Sequence, residues 1–130
     1  MSFEEADVLR RRAEGFLRNA LYLIDVGDNS LAMFNLEQYC QLILKYKLLV
    51  VKGSYPRTHS LRRLIMELGG FDSRVLTLIN DVKNIHYIAR LEEAYITSRY
   101  LPIEYTPEEV RDIARFVTEV FKPLVESVRI

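Results

Sequence analysis

The sequence predicts an all-α protein, an antiparallel up-and-down four-helix bundle with one additional short helix. Apolar residues recur at spacings of three and four along most of the chain, and no period of two is sustained. Helix-breaking residues divide the chain into four long helical lengths and one short one, joined by short loops. Short loops make consecutive helices run antiparallel, and 130 residues suit one domain over 1–130.

Two long amphipathic helices open the chain. The first is predicted over residues 3–26, where Leu, Ala and Phe alternate at spacings of three and four, and it ends near Gly27. Residues 28–30 offer several N-caps for the second helix, which continues to Gly53. Because its apolar face is wide, we expect this second helix to be central.

A turn over residues 54–59 precedes the other helices. A short helix is predicted over 60–68, and a long one begins after residues 72–73 and fades around Ser98. Thr106 is a good cap for the last helix, because a proline and two acids follow it. Pro123 should kink or end that helix near Lys122, since proline lacks a donor and clashes with the preceding turn.

The composition predicts a folded cytoplasmic protein. Apolar residues make up 49% and charged residues 28% of the chain, as in soluble globular proteins. No apolar run reaches the roughly 18 residues of a membrane span, and the start, Met1 to Glu5, carries acids where a signal peptide carries bases. With 18 bases against 18 acids, no global charge draws the protein to nucleic acid or membrane.

The residues that form common cofactor and metal sites are scarce. Cys40 is the single cysteine, which excludes an internal disulfide and a cysteine-rich zinc site, and it is interpreted as a small core residue. The chain has no Gly-rich phosphate loop and no nucleophile elbow. Neither His59 nor His86 has a glutamate three residues before it, as a di-iron bundle requires. We therefore predict neither a cofactor nor a metal.

Positive charge is concentrated between Glu37 and Glu67, where no acid occurs. The bases of this interval are Lys45, Lys47, Lys52, Arg57, Arg62 and Arg63. One interpretation is that they are solvated surface bases. The other is a phosphate site at a helix N-terminus, where free backbone donors and the helix dipole favour anions. The residues that would form it are Arg57, His59, Arg62 and Arg63.

A polar stripe follows the fourth helix. Asn80, Asn84, Tyr87, Leu91 and Tyr95 succeed one another by fours and threes. Tyrosines in such a stripe pack in a core or an interface with a satisfied hydroxyl, or line a ligand groove. We interpret Asn84, Tyr87 and Tyr95 as candidate interface residues, with a second copy of the chain as the partner.

The order of these features resembles the HEPN domain family of helical bundles, found in prokaryotes and higher eukaryotes. The resemblance covers nearly the whole chain and includes the final helix rich in Glu and Val. The matching residues are Gln38 and Lys45 on the second helix, Pro56, Thr58, His59, Leu61, Leu64 and Leu68 in the turn and short helix, and Arg99, Tyr100 and Pro102 at the end of the fourth.

The resemblance implies a bundle that pairs with itself or with a minimal nucleotidyltransferase, in toxin–antitoxin-like systems. It also implies a test, since many relatives are metal-independent RNases that use an arginine and a later histidine with four to six residues between them. Residues 52–54 lack arginine before His59, and residues 79–81 lack it before His86. We therefore do not carry the RNase activity over. The second helix reads Gln41-Leu42 where many relatives have Glu-Lys, and Leu101 separates Tyr100 from Pro102.

The sequence thus leads to a HEPN-like bundle that binds nucleotide, RNA or a nucleotidyltransferase rather than catalysing a reaction. Bases would meet phosphate, and Tyr100 could stack on a base. The candidate ligand residues are Lys45, Arg57, His59, Arg62, Arg63, Arg99 and Tyr100. Two alternatives stay open: a divergent RNase with His59 or His86 as proton carrier, and a purely structural dimerisation module.

Overall fold

Helices account for nearly all of the chain in the computed structural model, which describes residues 3–102 and 104–129. Within these ranges there is no strand, so the all-α class is confirmed, while the up-and-down four-helix topology stays a prediction. Met1 and Ser2, used in the N-terminal argument above, lie outside the described residues. The elements are α1 (Phe3–Asp25), α2 (Asn29–Lys52), α3 (Leu61–Gly69), a 3-10 turn (Ser73–Leu76), α4 (Thr77–Asn80), α5 (Val82–Tyr100), α6 (Pro107–Phe116), a π-helical segment (Val117–Phe121) and α7 (Lys122–Glu126).

A tight connection turns α1 back along α2. Gly27 has a φ of 83°, a left-handed conformation that glycine adopts without steric cost. The Asp28 side chain then accepts from the backbone N–H of Leu31 and caps α2. Farther along the pair, the Asn19 amide donates to the Asn35 side chain at 3.0 Å. The first two helices therefore begin and end close to where the sequence predicts.

Helix α2 is the central element, as its wide apolar face predicts. It packs against α1, α3, α5 and α6, and thirteen of its residues are buried. Tyr39 lies on its buried face with the ring edge-on to Phe121, the centroids 6.3 Å apart. Four polar side chains on α2 are buried as well: Asn35, Glu37, Gln41 and Lys47.

The predicted long helix after residues 72–73 is interrupted at Asp81, which corrects the sequence interpretation. The 3-10 turn and α4 precede the break, and α5 begins at Val82. Asp81 has an extended backbone, with φ −79° and ψ 130°, and its side chain accepts from the N–H of Asn84 at 2.9 Å. An N-cap inside an otherwise continuous apolar pattern thus starts a new helix.

The last helical stretch confirms one predicted boundary and corrects another. Thr106 caps α6 by accepting from the N–H of Glu109 at 3.1 Å, as predicted. Of the two outcomes predicted at Pro123, a kink or an end near Lys122, the end does not occur, because α7 continues to Glu126. The wider turns of the π-helical segment precede Pro123, and the N–H of Lys122 bonds to the carbonyl of Val117. The extra residue in this turn makes room for the proline, which a regular α-helix would not accommodate.

A buried lysine fastens the C-terminal end to α2. Lys47 is 6% exposed, and its ammonium donates to the backbone carbonyls of Glu126 at 3.2 Å and Val128 at 2.9 Å. Burial lowers the pKa of this ammonium, while the charge of Glu126 opposes that shift. The carbonyl of Glu126, the last residue of α7, and that of Val128 beyond it thereby gain a donor that the helix itself lacks. Among the described residues, no helix is long and apolar enough to cross a membrane.

Candidate functional site

A carboxylate lies buried at the middle of α2. Glu37 is 0% exposed, and its two oxygens accept from the amide of Gln38 at 2.7 Å and the amide of Gln41 at 2.8 Å. Burial raises the pKa of Glu37 to about 7, although the two amides and the charges of Lys45 and Arg99 act in the opposite direction. Near neutral pH this group therefore exists in both protonation states.

Gln41 connects the Glu37 carboxylate to side chains nearer the surface. Since its amide nitrogen faces Glu37, its oxygen is free to accept from the ammonium of Lys45 at 2.9 Å. The same oxygen lies 3.4 Å from Nδ1 of His59. Burial lowers the pKa of Lys45, and the nearby Glu37 charge raises it. One buried amide thus joins an acid on one side to a cation and an imidazole on the other.

His59 connects the turn before α3 to α5. Its ring stacks on Tyr95 with centroids 4.5 Å apart, and its Nε2 lies 3.2 Å from the Tyr95 hydroxyl. Because the Gln41 oxygen can only accept, the contact at Nδ1 requires a proton on that nitrogen. In the neutral imidazole Nε2 then accepts from the Tyr95 hydroxyl. His59 itself is exposed, so its ring is open to a ligand.

Arg99 carries an exposed positive charge beside the same ring. Its guanidinium carbon lies 4.2 Å from the centroid of Tyr95, 4.8 Å from that of Tyr100 and 5.2 Å from that of Phe34. Its Nε donates to the Tyr95 carbonyl at 2.7 Å. In the part of the chain that the structure describes, no acidic side chain forms an ion pair with Arg99. The aromatic contacts orient the guanidinium without neutralising it.

We refer to this set as the α2–α5 polar cluster. Its members are Glu37, Gln38, Gln41, Lys45, His59, Tyr95 and Arg99. Three of the predicted ligand residues, Lys45, His59 and Arg99, meet here, and Tyr100 adjoins the cluster with 69% of its surface exposed. Three of the predicted ligand residues, from separate segments, therefore belong to one connected network of polar and aromatic contacts.

The other predicted phosphate ligands lie outside this cluster. Arg62 pairs with Glu92 at 3.2 Å, and its backbone N–H also faces that carboxylate. Ser60 caps α3 by accepting from the N–H of Arg63, whose side chain is exposed. Arg57 lines a groove of about 790 Å³ between the start of α1 and the end of α2. The donors at the start of α3 are thus largely engaged within the chain.

All three predicted interface residues make contacts within the chain. Tyr87 stacks on Phe116 with centroids 4.6 Å apart, and its hydroxyl donates to Asp112 at 2.8 Å. The hydrogen bond raises the pKa of the Tyr87 phenol. Asn84 donates to the carbonyl of Thr77 at 3.1 Å. The third, Tyr95, belongs to the α2–α5 polar cluster, so the stripe divides between two regions.

Sequence reasoning missed Glu37 and Gln41 as parts of the site. Glu37 served there only as the boundary of the acid-free interval, and Gln41 only as a departure from relatives. The available signal was their spacing, because residues four apart share a helix face and this face is otherwise apolar. A buried acid with an amide one turn later indicates a polar network rather than a solvated surface.

The fold and the site together define an all-α protein with a polar cluster between α2 and α5. The family model of the HEPN domain matches residues 6–128, nearly the whole chain, and the chain belongs to this family. Comparison with curated proteins and with solved structures finds no match. Within residues 3–102 and 104–129, no group of His, Cys, Asp and Glu is placed to hold a metal ion.

Proposed function

We propose that this HEPN-domain protein binds the phosphate groups of a nucleotide or RNA at the α2–α5 polar cluster. The observation that carries the proposal is Arg99, an exposed guanidinium oriented by aromatic rings and without an acidic partner among the described residues. Arginine presents several donors in a planar fork that matches phosphate oxygens. Lys45 lies on the adjoining segment of α2 and adds ammonium donors to the same anion, with the His59 ring beside it.

An exposed aromatic ring extends this site toward a base. Tyr100 is 69% exposed and adjoins the Arg99 guanidinium. A base that stacks on such a ring contributes about 1 to 3 kcal/mol and needs no particular sequence. The arrangement therefore supports nucleotides and single-stranded RNA over duplexes, whose bases are already stacked.

Titration with short RNA and nucleotides at low salt tests this proposal. Arg99→Gln removes the guanidinium, and Arg111→Gln is the matched control, because Arg111 is an exposed arginine on α6. We expect Arg99→Gln to weaken binding about tenfold or more, since a charged hydrogen bond is worth about 1.5 to 3 kcal/mol. Equal affinity of the two variants, or no binding by the wild type, would contradict the proposal.

A metal-independent RNase is the second candidate, and one observation favours it. Although no arginine precedes a histidine with four to six residues between them, Arg99 and His59 both contact the ring of Tyr95. The imidazole could take the proton of an RNA 2′-hydroxyl while the guanidinium stabilises the charge on the phosphate. Incubation with RNA tests this candidate, with His86→Ala as the control for His59→Ala. Cleavage that survives His59→Ala would exclude it.

The same end of α5 also supports association with another protein. Ile96 is 48% exposed, Tyr100 69% and Leu101 49%, which gives an apolar surface beside the cluster. Family members pair with themselves or with a minimal nucleotidyltransferase in toxin–antitoxin-like systems, so both partners belong to the proposal. Mass measurement in solution, alone and with a nucleotidyltransferase, tests it. Ile96→Asp should reduce association, whereas Val82→Asp, at the other end of α5, should not.

A further inference from the structure

The α2–α5 polar cluster contains its own negative charge. The carboxyl of Glu37 is completely buried and accepts hydrogen bonds from two side-chain amides, so water does not screen its charge. The charges of Lys45 and Arg99 and the thiol of Cys40 interact with Glu37 directly. His59 and Tyr95, from the turn before α3 and from α5, connect to it through Gln41. An incoming anion therefore meets two cations and a carboxyl whose charge depends on pH.

The two protonation states of Glu37 present different sites to an anion. When Glu37 is ionised, it offsets part of the positive charge of Lys45, which lies one amide group away. When it is protonated, the charges of Lys45 and Arg99 act on the anion alone. We propose that Glu37 couples the binding of phosphate in this cluster to the uptake of one proton. This inference rests on the proposed function, because it concerns the same site.

The direction of the coupling follows from the charges. A bound phosphate adds negative charge near Glu37, which favours the neutral carboxyl, and by reciprocity the neutral carboxyl favours phosphate. Burial already raises the pKa of Glu37 to about 7, so the proton is available near neutral pH. Binding should therefore strengthen as pH falls through about 7, and weaken as Glu37 ionises above it.

Histidine acts in the same direction, so the two contributions must be separated. An imidazole gains positive charge as pH falls and would also strengthen anion binding. The test uses three variants: Glu37→Gln, His59→Asn and the double substitution. Glu119→Gln is the control, because Glu119 is an exposed acid on the π-helical segment.

The probe is a short RNA with hydroxyl ends, because phosphodiesters keep the same charge between about pH 6 and pH 8. Affinity is measured across that range, and proton uptake is measured by calorimetry in two buffers of different ionisation enthalpy. We expect wild-type affinity to rise about tenfold from the upper to the lower pH. The part of this rise in affinity that is due to Glu37 should be present in His59→Asn and absent from Glu37→Gln. The double variant should show no rise.

Direct observation of the carboxyl guards against an indirect effect of Glu37→Gln on the neighbouring amides. In wild-type protein labelled at glutamate carboxyl carbons, the NMR resonance absent from Glu37→Gln belongs to Glu37. We expect it to move toward its protonated position when RNA is added near pH 7.5, slightly above the pKa.

The outcomes separate this inference from the proposed function. RNA binding that depends on Arg99 but leaves the Glu37 resonance and the proton uptake unchanged would overturn the coupling alone. Absence of RNA binding at every pH would overturn the proposed function and the coupling with it. Proton uptake that disappears in Glu37→Gln and persists in Glu119→Gln would support both.

Discussion

Replacing Glu37 by glutamine should remove a pH dependence from the stability of this protein. Glutamine has nearly the volume of glutamate and one oxygen that can accept from a neighbouring amide, but it does not titrate. The side chain is 0% exposed, so water contributes little to the comparison. One of the two neighbouring amides loses its acceptor in the variant, but this cost does not change with pH, so the pH dependence of the difference reports the proton.

The magnitude follows from the pKa of Glu37, which burial raises from 4.5 to about 7. Each unit of difference between the folded and unfolded states is worth about 1.4 kcal/mol, so the proton contributes about 3 kcal/mol. Because the folded state holds the proton more tightly, this contribution is fully present below pH 4.5. It is lost as pH rises from there through about 7.

Urea unfolding followed by circular dichroism, at several pH values from about 4 to 8, measures the effect. The free energy of unfolding of the wild type minus that of Glu37→Gln should fall by about 3 kcal/mol across this range. The contributions of carboxyls present in both proteins cancel in this difference. The free energy of unfolding of Glu119→Gln should follow that of the wild type at every pH. If the wild type and Glu37→Gln run parallel as well, the carboxyl titrates at its ordinary pKa and the reasoning fails.

Urea unfolding also checks three predictions about packing. Lys47→Met should lower the free energy of unfolding by about 2 kcal/mol, because it removes a buried donor from two backbone carbonyls. Lys52→Met, at an exposed ion pair, should lower it by under about 0.5 kcal/mol. Equal losses would contradict a stabilising role for the Lys47 hydrogen bonds. Gly69→Ala should destabilise the protein by about 1 to 2 kcal/mol, since the added Cβ would clash with the side chain of Leu76. Gly15→Ala, with its nearest contact at 3.8 Å, should stabilise α1 by about 0.5 to 1 kcal/mol. If Gly69→Ala stabilised the protein, the clash would be refuted. Tyr39→Phe should stabilise by about 1 kcal/mol, because the buried hydroxyl has no hydrogen-bond partner among the described residues, and a loss of stability would indicate a bound water there.

Local signals predicted most helix boundaries and failed where two signals competed. Gly53 ends α2 with a φ of 86°, and Thr106 caps α6, each as its residue type predicts. At Asp81, however, the apolar period continues across the cap, so periodicity alone joined two helices into one. At Pro123 the proline predicted a kink or an end, and the helix does not end there, because a π-helical turn, which depends on the surrounding packing and leaves no pattern in the sequence, precedes it.

The candidate site was predictable in its charges and not in its connections. Lys45, His59 and Arg99 were identified from local charge and from the resemblance, and the structure brings them to one cluster. Glu37 and Gln41 were missed, because a polar pair four residues apart on an apolar face was not read as a buried network. Contacts across elements depend on the packing of α2 against α5, which no local spacing encodes.

The position of Glu37 bears on the choice between binding and cleavage. The sequence rule for RNases concerns the spacing of arginine and histidine, whereas the chemistry depends on their distance in the fold, and the ring of Tyr95 joins Arg99 to His59. A general base must be unprotonated, so cleavage by the imidazole is favoured as pH rises. The proposed phosphate binding beside Glu37 should strengthen as pH falls through about 7, since an ionised carboxyl offsets the cations. The proposed coupling at Glu37 and the candidate cleavage by His59 therefore predict opposite pH dependences, and RNA binding and RNA cleavage measured across the same pH range distinguish the two proposals.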